Sequence, residues 1–195
     1  METKSKINVI KPKPASPITW VFMFIGFTLA LTTSCGVIPE ERILFDFESD
    51  AELDRFHWRC HTLFSLSHQH ITHGKRSLRL ELYPSDYPGL TPMIEKRDWR
   101  GYKALHFDIY NPKNETLTIT VRIDDRRDYP NYADRYNKSF ILKPGMNRVI
   151  IPLDTLATSG NGRKLNLKEI YRVLIFMTRP KRRVVLYMDY IRLVS

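Results

Sequence analysis

Beyond Pro39 the chain is written in short runs that alternate apolar and polar residues, and that period constrains its fold more than anything else. SLRLELY places Leu78, Leu80 and Leu82 on one side and Arg79, Glu81 and Tyr83 on the other. ALHFDIYN does the same with Leu105, Phe107 and Ile109, and LTITVRID with Leu117, Ile119, Val121 and Ile123. ILFDFES, SFIL, NRVIIPL, YRVLIFM and VVLYMDYIRL continue the series. Successive side chains of a strand point to opposite faces, so period two buries one face and wets the other. Turn signals separate the runs: His73-Gly74-Lys75, Pro88-Gly89, the stretch 111–114, Pro144-Gly145 and the stretch 159–162. Helical periodicity is sustained nowhere, although DAELDRF and NLKEI each have room for a turn or two. About eight or nine strands at these spacings predict an all-β fold, an antiparallel β-sandwich.

The first 39 residues obey another rule. METKSKINVIKPKPAS is basic, ITWVFMFIGFTLALTT is free of charge, and Ser34-Cys35-Gly36 follows. A basic segment, an apolar segment and small residues in that order form a secretory signal. A Cys directly after Leu31-Thr32-Thr33-Ser34 resembles a bacterial lipoprotein signal, with Cys35 as the lipid-carrying residue after cleavage. Thr32 stands where that pattern prefers Leu. The rival reading is an uncleaved anchor, because 18–38 is uncharged and long enough to span a bilayer. Both divide the chain into a leader, 1–39, and an exported domain, 40–195. Both place that domain on the periplasmic side or the cell surface, tethered through an N-terminal lipid or helix, with an outer-membrane lipoprotein among the forms expected.

The net charge of +10 draws +3 from the first 35 residues, so the domain is basic in its own right. Such a surface attracts nucleic acid, acidic polysaccharide or anionic membrane. Basic residues here are interleaved with acids, and no run exceeds Lys181-Arg182-Arg183, which argues against a nucleic-acid partner. Cys35 and Cys60 are the two cysteines; they make no CxxC, and a 35–60 disulfide is open only if Cys35 is not lipidated. His57, His61, His68, His70 and His73 fall close together, which fits either metal ligation or loop and edge-strand placement.

The densest chemistry lies in VRIDDRRDYPNYADRYNKSF, residues 121–140. Val121 and Ile123 belong to the core face, which turns Arg122 and Asp124 outward. Residues 125–136 are too polar, and too interrupted by Pro130, for a central strand, and they read as a long loop. Tyr supplies an apolar ring face with a hydroxyl, and Arg and Asp supply directional hydrogen bonds. Arg122, Asp124, Tyr129, Tyr132, Arg135 and Tyr136 therefore suit the apolar faces and hydroxyls of a sugar. An internally paired loop explains the same residues. Catalysis has less support: there is no nucleophile elbow, phosphate loop or His-Glu-x-x-His, and the sandwich leaves no room within this sequence for a separate catalytic domain.

The order of motifs carries a resemblance. FDFES, HGKRSLRLEL, DWRGYKALHFDIYNP, VRIDDRRDYPNYADRYN, LKPGMNRVIIPL, LNLKEIYRVLIFM and LYMDYIRL run in sequence over about 42–194. Together they resemble the jelly-roll carbohydrate-binding modules of the galactose-binding-domain-like superfamily. The resemblance implies a non-catalytic module for an oligo- or polysaccharide. It also implies a structural calcium near the first and last strands, with Glu48 and Asp189 as ligands beside the Gly74–Ser77 turn; the plain alternative is that Asp189 bonds to backbone. A protein-interaction or scaffold domain on the same sandwich remains a second class, and a small glycan hydrolase a third.

Overall fold

The computed structural model describes residues 41–58 and 60–195; the leader and Cys35 lie outside them. Eleven strands follow one another: β1 (Glu41–Phe45), β2 (Phe56–Trp58), β3 (Thr62–Ser67), β4 (Ser77–Leu82), β5 (Gly89–Pro92), β6 (Ala104–Asn111), β7 (Leu117–Asp124), β8 (Tyr136–Leu142), β9 (Gly145–Pro152), β10 (Arg172–Phe176) and β11 (Val184–Val194). Two short 3₁₀ segments, Asp50–Arg55 and Tyr132–Asp134, interrupt them. All pairings are antiparallel. One sheet has six strands in the order β3-β4-β11-β6-β9, with β1 also on β11; the other has five, β2-β5-β10-β7-β8. The domain is the expected all-β antiparallel sandwich, a jelly roll.

The alternating runs do what their period predicts. Leu78, Leu80 and Leu82, with Leu105, Phe107 and Ile109, meet Ile119, Val121 and Ile123 in a single core between the sheets. Phe45, Phe47 and Phe56 stack at one end of it, with ring centroids 5.4–6.3 Å apart. β11 is long enough to need a correction of phase. Leu186 and Met188 face inward, yet so do Ile191 and Leu193, and the register shifts between Asp189 and Arg192 to allow it. Tyr190 sits at φ 54° in that shift, a bulge that swaps the parity of the strand.

Three strands are absent from the alternation reading: β2, β3 and β5. β2 is three residues long. β3 carries Ser and Thr at half its positions and turns Leu63 to solvent. β5 contains Gly89, which as part of Pro88-Gly89 reads as a turn. In the fold it pairs with Phe176, and a Cβ on Gly89 would lie 2.3 Å from the Ile175 carbonyl oxygen. The glycine thus permits close backbone approach inside a sheet.

Candidate functional site

The outward residues of the five-stranded sheet form a floor. Register sets Arg122 of β7 beside Leu174 of β10 and Asn137 of β8, and Thr120 beside Phe176 and Ser139. Over this floor lie two depressions. One, of about 520 Å³, is walled by Tyr87, Tyr132 and Arg135; the other, of about 840 Å³, by Arg97, Arg127, Tyr129, Tyr171 and Arg172. Arg122 and Leu174 line both, so the depressions lie side by side on the sheet and are taken together below as the groove. Each part lies within the roughly 300–1,000 Å³ usual for ligand sites.

The floor is held rigid by a buried carboxylate. Asp124 is 0% exposed and accepts from Arg122 Nε at 2.8 Å, Arg122 Nη2 at 2.6 Å and Arg172 Nη1 at 2.8 Å. The two guanidiniums are thereby fixed while their outer edges face the groove. Arg172 also lies 4.1 Å over the Tyr129 ring, and Arg97 4.5 Å over Tyr171.

The rim is the 125–135 connection, and its shape comes from a residue outside it. Arg163 reaches in from the β9–β10 connection to hold Asp125 through both Nη atoms, at 2.6 and 2.8 Å, and Asp134 through Nε at 2.8 Å. Burial alone would raise the Asp125 carboxyl, but Arg163 and the Asn166 N–H outweigh it and hold it below the usual range. Arg126 takes the other oxygen of Asp134. With Asp125 and Asp134 consumed, Arg135 makes no ion pair. Its guanidinium sits 5.5 Å over Tyr132, and burial, reinforced by nearby Arg122, lowers its pKa. The plain alternative, a paired loop, is therefore half right: Asp125 and Asp134 are paired, while Tyr129, Tyr132 and Arg135 line the groove.

Four of the six residues read as sugar contacts line this groove: Arg122, Tyr129, Tyr132 and Arg135. Tyr129 and Tyr132 are 82% and 62% exposed. The other two do not reach it. Tyr136 is 9% exposed, opposite Ile123 on the core face of β8, and burial pushes its hydroxyl up to about 12. Asp124 points outward as its parity requires, but its arginines cover it, so it positions them instead of meeting a ligand. Arg172, Tyr171 and Tyr87 were not legible as site residues, because parity gives a strand's faces and not its neighbours.

Glu48 and Asp189 grip the two ends of one turn. Asp189 Oδ2 accepts from Thr72 N at 2.7 Å and His73 N at 3.0 Å, and Oδ1 from Tyr190 N at 2.7 Å. Burial nonetheless raises its pKa. Glu48 Oε1 accepts from Lys75 N and Arg76 N, both at 2.8 Å, and a Cβ on Gly74 would meet Glu48 Cδ at 2.5 Å. Calcium takes six to eight oxygens. Here both carboxylates meet amide hydrogens, and among the described residues no three His, Cys, Asp or Glu side chains gather to hold a metal. Held this way, the two carboxylates clamp the 72–76 turn through its amide hydrogens. The histidines disperse likewise: His57 borders the groove, His70 stacks on Tyr110, and His73 stacks on Tyr190.

No family model matches the chain, and no curated protein does. Solved structures match its fold. A family 11 carbohydrate-binding module from Clostridium thermocellum, in complex with a β-1,3-1,4-mixed-linked tetrasaccharide, aligns at TM-score 0.60 and 15% identity, over 80% of this chain and 95% of its own. An exo-β-agarase aligns at 0.63 and 18%, over 77% of this chain and 24% of the agarase. The C-terminal family 22 carbohydrate-binding module of Clostridium thermocellum Xyn10B aligns at 0.52 and 11%, over 78% and 94%. At these identities the likeness is one of fold.

Proposed function

We propose that the domain is a non-catalytic carbohydrate-binding module, exported and tethered to a membrane by the N-terminal segment, and that the groove on the five-stranded sheet holds its glycan. The observation that carries this reading is the groove itself: tyrosine rings and guanidiniums together line two adjacent depressions on one sheet face. Rings suit the apolar faces of sugars, and guanidiniums suit their oxygens. A protein-docking surface would be flatter and larger. Glycoside hydrolysis generally uses two carboxylates flanking the bond. No Asp or Glu lines the groove among the described residues, which supports binding there over cleavage. The modules of families 11 and 22 that share the fold are named for carbohydrate binding.

The test is an immobilised glycan screen with the full chain, repeated with Tyr129→Ala and Tyr132→Ala. Both rings are exposed, so melting temperatures should hold while affinity for the selected glycan falls by roughly 1–3 kcal/mol each, as for aromatic anchors elsewhere. Variants that remain folded and bind like the parent would remove the groove from consideration.

A further inference from the structure

We propose that the ligand of this groove is an anionic polysaccharide, one that repeats carboxylate or sulfate-ester groups along its length; the inference rests on the carbohydrate-binding reading above. The starting observation is how arginine is distributed. Among the described residues, four arginines make no ion pair: Arg42, Arg97, Arg127 and Arg135. The rest each sit within reach of a carboxylate. Three of the four line this one groove, two in its larger part and one in its smaller. Arg122 and Arg172, which share the single buried Asp124, add two more guanidiniums.

The imbalance is one of hydrogen bonding as well as charge. A guanidinium has five N–H donors and no acceptor. A neutral sugar hydroxyl both donates and accepts, and a carboxylate is the protein's strongest acceptor for its proton. The groove presents none: Asp124 is covered, and Asp125 and Asp134 are turned to Arg163. Donors are in surplus even beneath the surface, where Arg135 Nε and Asn137 Nδ2 are buried with no acceptor. Carboxylates and sulfate esters accept without donating, and their paired oxygens match the planar fork of Arg. Two adjacent depressions, with arginines free of ion pairs in each, ask for charge repeated along a chain.

The experiment measures binding of the full chain to four probes of similar length. They are an oligogalacturonate for carboxylates, a sulfated galactan oligosaccharide for sulfate esters, a mixed-linkage β-glucan oligosaccharide as the neutral case, and single-stranded oligothymidylate. The expected result is binding of one or both acidic glycans at least about tenfold tighter than the neutral one. That binding should weaken sharply between about 0.1 M and about 1 M salt, as the Debye length shrinks from roughly 10 Å to roughly 3 Å. Arg97→Gln and Arg127→Gln alter exposed side chains and should each cost about tenfold toward the acidic glycan with an unchanged melting temperature. Arg135→Gln is the third variant, read beside its melting curve because its side chain is half-buried. Binding of the neutral glycan as tightly as the acidic ones, insensitive to salt, overturns the anionic inference and leaves the carbohydrate reading intact. Binding of no glycan overturns both. Preference for oligothymidylate overturns both in favour of nucleic acid.

Discussion

The two outer faces of the sandwich use nearly the same residues to opposite ends. On the six-stranded sheet, buried Asp108 accepts from Arg148 Nε at 2.8 Å and lies 3.8 Å from Arg192, which also meets Glu41 at 3.2 Å. Glu81 takes Arg79, Arg183 and the Tyr83 hydroxyl. His70 stacks on Tyr110 with ring centroids 3.5 Å apart, and the Tyr187 hydroxyl donates to Gln69. Arginine, aromatic ring and acid are all present there, and those named meet one another within the chain. On the five-stranded sheet the same ingredients leave guanidiniums without anions. An Arg-and-Tyr-rich surface is therefore not in itself a site; what distinguishes one is which groups the fold has left unmatched.

The largest way to break that contrast is to open the one closed ion cluster beneath the groove. Asp124→Ala strands Arg122 and Arg172, whose side chains are 12% and 17% exposed, so unfolding free energy should drop by about 3–5 kcal/mol in denaturant titration. Glycan affinity should fall with it, since the floor loses its positioning group.

Arg163→Met releases the rim. Arg163 is about one-third exposed, so the cost should be nearer 2 kcal/mol. Its pH dependence identifies the cause. The Asp125 carboxyl is held below its ordinary value in the folded state, so its contribution is present above about pH 4 and lost as pH falls through the folded value. The gap in stability between parent and variant should therefore be widest at neutral pH and should narrow as acid protonates the Asp125 carboxyl. A constant gap would assign the cost to packing.

Arg148→Met tests the opposite face. Arg148 is 57% exposed and Asp108 keeps Arg192, so the loss should be under about 1 kcal/mol, with glycan binding unchanged. Smallest of all is the effect of calcium. A cation bound only by the native state raises the melting temperature by mass action. With Glu48 and Asp189 committed to amide hydrogens, melting curves in millimolar calcium and in chelator should coincide; a rise with calcium would mean that the 72–76 turn rearranges to offer oxygens.

How far the sequence could be read follows from the same physics. β6 and β7 were legible residue for residue, because Leu105, Phe107 and Ile109, and Ile119, Val121 and Ile123, declare which face is wet. The outward direction of Arg122 and Asp124 followed. What parity cannot state is who lies alongside. The partnership of β7 with β10 brings Arg172 to Asp124, and it leaves no local trace in either segment. Tyr136 went the other way because the eleven residues between β7 and β8 carry no register, so its face depended on where the loop rejoined the sheet. The Arg163 clamp spans 38 residues to Asp125 and was beyond any local pattern.

The closure of the domain on itself has a mechanical meaning. Glu41 lies opposite Val194, and β1 holds to β11 by four registered pairs ending at Phe45 and Ile191. Tension applied to both ends of the domain would load those rungs in series, beginning at the outermost, and would peel the ribbon instead of shearing it as a block. Yield would come first at β1, where Phe45 would be drawn from the core. The groove lies on the other sheet, outside the path of the load, and would keep its grip while the seam gave way.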